Sequence, residues 1–184
     1  MARKYSIVGH ERTHKKETEK KGSSILVAVD FSNSAKAALR KAKSLLTGEY
    51  TRIVALHVID HHFVDQCIYE HLGTKKEIKK KLFISAKNRL RDFLLKEGMD
   101  LNNLEMVVCE GTPCVEINKK AVQTDADMIV MGSQGHSGEM KNIFFGSTTE
   151  RVLRFIRRPV LCVPPEENHE QSKKNIMGMH KELS

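Results

Sequence analysis

The chain has 184 residues, 40% of them hydrophobic and 29% charged, with a formal net charge of +8. This length and composition predict one globular domain with a core of its own. No apolar run approaches the roughly 20 residues that span a bilayer, and no apolar segment follows the basic N-terminus as a secretory signal requires. We therefore expect no membrane partner.

The net charge divides unevenly along the chain. Residues 1–24 carry seven Lys and Arg against three Glu, and residues 166–184 carry three Lys against four Glu. The remaining +5 is interpreted as spread over the surface and not clustered. A basic tail can dock on nucleic acid or anionic lipid, but polar segments interrupted by glutamates are typical of solvated, disordered chain. We expect disordered tails at 1–23 and 166–184 around a domain at 24–165.

Cysteine usage indicates the redox environment. Cys67, Cys109, Cys114 and Cys162 form no CxxC pair and are too sparse for a disulfide framework. Cys109 and Cys162 lie inside apolar runs, where a reduced thiol behaves as a small hydrophobic side chain. The pattern favours a reduced, cytoplasmic protein.

Five short apolar runs alternate with amphipathic patterns. Continuous runs of this length are typical of strands buried on both faces of a parallel sheet. The runs are ILVAVD (25–30), IVALHVID (53–60), LEMVVCEG (104–111), DMIVMG (127–132) and PVLCVPP (159–165).

Helices are predicted between these strands. The first starts at Ser32 or Asn33 as N-cap and ends before Gly48, and another repeats its apolar residues over 78–94. Thr112 and Pro113 open a third helix, and a fourth follows Gly146, while 61–75 is interpreted as irregular. Five alternations predict an α/β fold: a single five-stranded parallel sheet with helices on both faces.

Glycines cluster after the fourth strand, in MGSQGHSGEMKNIFFGSTTE (131–150). The segment 147–150 predicts a capping box, with Ser147 receiving the N3 amide and Glu150 reaching back. A helix that begins directly after Gly146 offers free N–H groups and the positive end of its dipole to an anion. Gly132 and Gly135 would let the preceding loop wrap the other side of that anion.

The position of this segment fits a ligand site, because open α/β sheets bind ligands beyond the carboxyl ends of their strands. Asp30, residues 57–60 and the Met131-Gly132 pair all follow or end predicted strands. Two common phosphate motifs are excluded: the chain has no Gly-Lys-Ser or Gly-Lys-Thr, and the first strand-to-helix turn, DFSNSA, has no glycine.

ILVAVDFSNSAKAAL, LHVID and MGSQGHSGEMKNIFFGSTTERVL…RPVLCVPP together resemble the universal stress protein (UspA-like) family over nearly all of 24–165. The glycines are similar to the pattern Gly-x2-Gly-x9-Gly-Ser/Thr of its ATP-binding branch, with one extra residue between Gly135 and Gly146. The resemblance implies an adenine nucleotide alpha hydrolase-like fold with strand order 3-2-1-4-5. It also implies ATP, ADP or AMP with Mg²⁺ as ligand, and a homodimer formed through Val160 to Val163 of the fifth strand.

The resemblance further implies which residues meet the nucleotide, at the carboxyl ends of strands 1, 2 and 4. Ala28 and Val29 would form the pocket floor. Asp30 would contact the ribose or the bound cation, and the backbone of Val58 would contact adenine. The nucleoside would be flanked by Met131 and Gly132, and the phosphates held by Gly135, Gly146, Ser147 and Thr148.

Catalysis is not indicated. Hydrolysis of a phosphoanhydride needs a positioned water, a group that orients it and charge stabilisation. His136, Ser137 and Lys141 are the candidates near the loop, and none has a dedicated partner in the sequence. We expect no catalytic residue and slow turnover at most, and hence a dimeric nucleotide-binding regulator of a stress response with an unidentified protein partner.

Three other interpretations stay open. A nucleotide-free dimeric interaction or adaptor module would use the basic tail or the segment 61–75. A metal site could draw on HVIDHHFVDQCIYEH, although no zinc spacing is matched and neighbouring histidines in a regular element point to different sides. Its ligands would come from His57, Asp60, His61, His62, Asp65, Cys67 and His71. Specific nucleic-acid binding is the weakest, because tryptophan is absent and aromatic residues make up 5%.

Overall fold

The computed structural model describes residues 23–46, 52–135 and 145–166. Five strands form one parallel sheet in the order β3-β2-β1-β4-β5, which confirms the predicted sheet and strand order. The strands are β1 (Ser24–Ala28), β2 (Arg52–Asp60), β3 (Leu104–Gly111), β4 (Met128–Gly132) and β5 (Val160–Val163). The helices are α1 (Asn33–Ser44), α2 (His61–Tyr69), α3 (Lys75–Lys96), α4 (Pro113–Gln123) and α5 (Ser147–Arg154).

Helices cover both faces of the sheet, so alternate residues of each central strand enter different halves of the core. Ile25 and Val27 of β1 pack with α1 and α3, whereas Leu26 packs with α4 and α5. The side chains that these helices bury deepest are Ala38, Leu39, Ala42, Leu90, Leu94, Ala121 and Val152, each with 0% exposure. This two-sided burial explains why the strands are continuous apolar runs.

Side-chain caps fix the starts of α1 and α3. The Ser32 hydroxyl accepts the Ala35 amide at the start of α1, which confirms Ser32 as N-cap. Thr74 and Glu77 form a reciprocal capping box at the start of α3. Gly48, expected beyond the end of α1, lies outside the described residues.

The prediction that 61–75 is irregular is wrong, because its first nine residues form α2. The Asp60 carboxylate accepts the His62 amide at 3.0 Å, so the last residue of β2 is also the N-cap of α2. Val64 and Cys67 are the buried side of this helix, and they pack in a satellite cluster with Ile78. The strand passes directly into the helix, which leaves no turn residues to mark the boundary.

The positive charge is concentrated on α3, so the expectation of a spread charge is wrong. The helix contains nine Lys and Arg against two acidic residues, a formal charge of +7, whereas the whole chain carries +8. Within 23–46, 52–135 and 145–166, no helix has the length and apolarity that a membrane crossing requires.

Candidate functional site

The carboxyl ends of β1, β2 and β4 meet at one edge of the sheet, as a parallel sheet requires. Ala28 lies in register with Leu56 of β2 and with Met131 of β4. Val29 continues beyond β1 and donates its amide to the Leu56 carbonyl at 2.8 Å. Val58 lies two residues further along β2 and is half-buried. Ala28, Met131 and Val58 therefore line the same edge, as the sequence predicts.

Asp30 follows β1 and is held at the start of α1. Its Oδ1 accepts the Ser32 amide at 3.0 Å and the Ser32 hydroxyl at 2.6 Å. Both hydrogen bonds go to one oxygen, and the other, Oδ2, faces Gly135. The residue is exposed, so a carboxylate oxygen is presented to the solvent side of the sheet edge.

Phe31 makes the turn between β1 and α1 in the left-handed region, with φ at 69°. Non-glycine residues adopt this conformation only where their surroundings fix it. The Phe31 ring lies 4.5 Å from the His57 ring and 5.5 Å from the Phe93 ring, and the Arg89 guanidinium lies 4.1 Å above it. The turn beside Asp30 is therefore fixed by contacts from β2 and α3.

His57 is packed and hydrogen-bonded, as the sequence predicts. Its Nδ1–H donates to the Val29 carbonyl at 2.8 Å. Burial lowers the pKa of His57 below its ordinary value, and the Arg89 charge acts in the same direction. The neutral ring is consequently a structural link between β2 and the end of β1. This link, Phe31 and Arg89 were missed at the sequence level, where nothing marks a phenylalanine that takes a positive φ.

Gly132 ends β4 against the first turn of α1. A Cβ at this position would lie 2.5 Å from the Ser34 Cβ and 3.2 Å from the Ala35 amide nitrogen. Contacts below 3.0 Å are not tolerated without movement of the neighbours. Glycine is required here by helix-to-strand packing, independently of any ligand.

Gly135 and Gly146 bring the two ends of the glycine-rich segment together. A Cβ on Gly146 would lie 3.2 Å from the Gly135 amide nitrogen, and the Gly146 amide donates to the Ser133 carbonyl at 2.8 Å. A Cβ on Gly135 would lie 3.0 Å from Asp30 Oδ2. Asp30, Gly135 and Gly146 thus converge at the carboxyl edge between β1 and β4.

α5 begins beside this convergence, but the predicted capping box is wrong. The N-cap is Gly146, without a side-chain cap, and Ser147 is the first helical residue. Glu150 pairs with Arg154 instead of returning to the helix start. The Gly146 carbonyl accepts the Glu150 amide at 2.9 Å, so the first intrahelical bond starts one residue earlier than in the predicted box.

The start of α5 is attached to β4 by Thr149. Its buried hydroxyl donates to the Gly132 carbonyl at 2.9 Å. Ser147 is exposed and Thr148 half-buried, so the amides of the first turn lie near the surface next to Gly135. The first amides of a helix lack partners inside it and carry the positive end of its dipole. The arrangement can hold an anion at α5, with Asp30 Oδ2 available to a cation. His136, Ser137 and Lys141 lie outside the described residues.

The histidines that follow β2 do not behave as the sequence suggests. The ring centroids of His61 and His62 lie 4.0 Å apart, with the ring planes tilted by 35°, so the two rings are in contact instead of pointing to different sides. The ligand atoms of Asp60, His61 and His62 lie within 4.8 Å of one another. Two features weaken this cluster as a cation site: the Asp60 carboxylate already caps α2, and the positive end of that helix faces the cluster.

A groove of about 790 Å³ runs between α1 and α3, beside the candidate site and separate from it. Phe31 belongs to both, because its ring lines the groove while its backbone follows Asp30. The other groove residues include Lys36, Lys81, Arg89 and Asp92. None of the residues that the sequence assigns to the nucleotide lines it.

Comparison with known proteins agrees with this architecture. Residues 23–164 match the model of the universal stress protein family. Universal stress protein MJ0577 of Methanocaldococcus jannaschii is 34% identical over 152 residues, which cover 76% of this chain and 93% of the relative. The solved structure of MJ0577 has a TM-score of 0.67 at 31% identity and covers 80% of this chain and 99% of that one.

A universal stress protein solved in complex with cAMP has the same fold, with a TM-score of 0.51 at 19% identity, over 79% of this chain and 99% of its own. That likeness concerns the fold alone. The family match covers more than half of the chain, and the MJ0577 relative independently exceeds 30% identity. The chain belongs to the universal stress protein family.

Proposed function

We propose that this protein binds an adenine nucleotide at the carboxyl ends of β1, β2 and β4 and acts as a dimeric regulator in a stress response. One observation carries the proposal: Asp30 Oδ2, Gly135 and Gly146 converge where α5 begins. Solvent-facing amides, a carboxylate oxygen and backbone without side chains are the features that a nucleotide phosphate with its cation requires.

The roles follow from the positions. The phosphates would lie against the amides of Gly135, Ser147 and Thr148 and beside Gly146, whose own amide is bonded to Ser133 and whose missing side chain leaves room for them. Asp30 Oδ2 fits Mg²⁺, because Mg²⁺ in nucleotide sites is held by one or two carboxylates together with phosphate oxygens.

The nucleoside end lies along the strands. Ala28 and Val29 form the floor, and Met131 and Gly132 flank the nucleoside. The Val58 backbone would meet adenine on β2. ATP, ADP and AMP share this recognition, and a universal stress protein with the same fold has been solved in complex with cAMP. We expect the protein to bind the nucleotide and to hydrolyse it slowly at most.

The homodimer belongs to the same proposal. β5 is an edge strand, and all four of its residues are half-buried apolar side chains. An open apolar edge is an aggregation hazard unless another strand covers it. We place the partner copy there, and a cytoplasmic location is supported by the four cysteines, all of them free.

The first experiment is to denature freshly purified protein and identify the released small molecule by mass spectrometry. An adenine nucleotide near one per chain would support the site. A pocket that is empty, and still empty after incubation with ATP and magnesium, would contradict it and favour the nucleotide-free interaction module.

Gly135→Val is the sharpest variant for this test. The Cβ would meet only the end of the Asp30 side chain, so the fold should persist while the space facing Oδ2 is filled. We expect at least a tenfold loss of ATP affinity by calorimetry, about 1.4 kcal/mol. Gly132 and Gly146 are poorer choices because their neighbours include backbone atoms.

Asp30→Asn provides a second, charge-specific variant, with Asp65→Asn on the exposed side of α2 as its matched control. The amide oxygen can still accept the Ser32 hydrogen bonds, but the carboxylate charge is lost. Affinity should fall in the presence of magnesium and change little in its absence. Equal affinities for Asp30→Asn and the control in magnesium would remove Asp30 from the cation site.

A further inference from the structure

One side of α3 presents cations and large apolar side chains together, and we call this side the outer stripe. Apart from the adjacent pair Phe83 and Ile84, its members follow one another at intervals of three or four residues, which places them on one helix face. They are Lys76, Lys80, Phe83, Ile84, Lys87, Arg91 and Leu95, and all are exposed. The opposite side of the helix packs into the core through Ala86, Leu90 and Phe93.

The cations of the outer stripe are not engaged within the described part of the chain. Two basic side chains beside the stripe have partners: Lys79 pairs with Glu110 at 2.7 Å, and Arg89 lies over Phe31. For Lys76, Lys80, Lys87 and Arg91, by contrast, residues 23–46, 52–135 and 145–166 provide no ion pair. These four cations of α3 therefore face solvent without an acidic partner among the described residues.

The two acidic residues of α3 do not neutralise the stripe. The Glu77 carboxylate is bound to the Thr74 amide and hydroxyl in the capping box. Asp92 lines the groove between α1 and α3 together with Lys81 and Lys96, and Ile84 is the one member of the stripe that borders this groove. The positive charge of the outer stripe consequently faces solvent and is not neutralised by either of these acidic residues.

Exposed apolar side chains lie between the cations along the outer stripe. Phe83 is 46% exposed, Ile84 50% and Leu95 49%. Tyr69 at the end of α2 and Leu72 in the turn that precedes α3 are also exposed, at 80% and 64%. From Lys76 to Arg91 the stripe spans about 22 Å at the α-helical rise of 1.5 Å per residue. Its partner must offer an extended negative surface together with an apolar layer.

We propose that the outer stripe docks on an anionic phospholipid surface, with the cations at the headgroups and the apolar side chains at the acyl boundary. Clusters of four or more Lys and Arg recognise anionic lipids, and exposed apolar side chains beside such cations can enter the boundary between headgroups and acyl chains. A second copy is disfavoured because it would bring two helices of +7 together. A nucleic-acid backbone would leave Phe83 and Ile84 without an apolar partner.

Vesicle co-sedimentation of the full chain tests the proposal, with phosphatidylcholine vesicles that contain or lack phosphatidylserine. We expect binding only to the anionic vesicles. Lys80→Glu with Lys87→Glu should lower the partition coefficient by at least 25-fold, since each basic residue near the surface contributes about fivefold. The basic residues 1–24 are the same in both proteins, so the difference reports on α3 alone.

The matched control reverses two exposed cations on other helices, Lys41→Glu with Arg151→Glu, and changes the net charge equally. Vesicle binding that falls as much in the control as in the stripe variant would overturn the proposal. Phe83→Ser with Ile84→Ser should remove the part of the binding that persists at high salt. Equal, fully salt-sensitive binding of this variant and the parent to vesicles and to duplex DNA would assign the stripe to polyanions in general. Circular dichroism checks that each variant is folded.

Discussion

His57 joins two strands through a ring whose burial favours the neutral form. It donates to the Val29 carbonyl, contacts the Phe31 ring, and is half-buried at the edge where Asp30 emerges. Burial lowers the pKa of His57, and the hydrogen bond to Val29 and the Asp30 charge oppose this as smaller contributions. As the pH falls below about 6.5, the unfolded chain takes up a proton that the native ring takes up less readily. Native stability from this residue is therefore complete above that pH and decreases below it.

We predict that the free energy of unfolding decreases as the pH is lowered from neutral, and that His57→Asn has a smaller decrease. The asparagine amide keeps a donor for Val29 but does not titrate. Urea denaturation of both proteins at a series of pH values measures the difference. All other histidines are shared, so parallel curves would show that His57 does not contribute to the acid sensitivity.

At the scale of elements, one hydroxyl connects a helix start to a strand end. Thr149 in α5 donates to the Gly132 carbonyl of β4, and its side chain is 3% exposed. Thr149→Val preserves shape but leaves a buried carbonyl without this donor, which costs about 1–3 kcal/mol. Urea unfolding should detect the loss, and Thr149→Ser, which keeps the hydroxyl, should recover most of it. A valine variant as stable as the parent would mean that water replaces the hydroxyl.

The sequence predicted strands and helices correctly where a capping or turn residue stands beside a regular pattern of buried apolar residues. β3 is confirmed at 104–111, and Pro113 is confirmed as the first residue of α4. The failures are at element boundaries. α5 starts one residue earlier than predicted, because the Gly146 carbonyl already accepts the Glu150 amide. α2 was missed because Asp60 serves both as strand end and as N-cap, so no loop separates the two elements.

At the scale of the whole molecule, the sequence predicted that the ends of β1 and β4 and the glycines share one edge, because parallel topology places them there. The sequence could not show why glycine is needed at each of these positions. Gly132 is required by contact with Ser34, whereas Gly135 faces Asp30. Such contacts depend on how α1 packs beside β4. The concentration of charge on α3 was readable by counting within the predicted helix instead of over the whole domain.

The open edge of β5 has a defined hydrogen-bonding pattern. The Pro159 and Val163 carbonyls accept the Ile129 and Ser133 amides, each at 2.8 Å. Because alternate residues of a strand direct their backbone groups to opposite sides, residues 159, 161 and 163 face β4. Val160 and Cys162 consequently direct their amides to the open edge, where the proposed partner copy would pair with them.

Cys162→Pro should therefore convert the proposed homodimer into a monomer without unfolding the chain. Proline removes an outward amide, and edge strands tolerate it where that amide does not serve the sheet. Cys162→Ser keeps the amide and should stay dimeric, which separates the backbone effect from loss of the thiol. Light scattering after size-exclusion chromatography, over a range of concentrations, gives the mass of each variant, and circular dichroism confirms the fold. A folded Cys162→Pro variant with the mass of a dimer would place the interface away from the β5 edge.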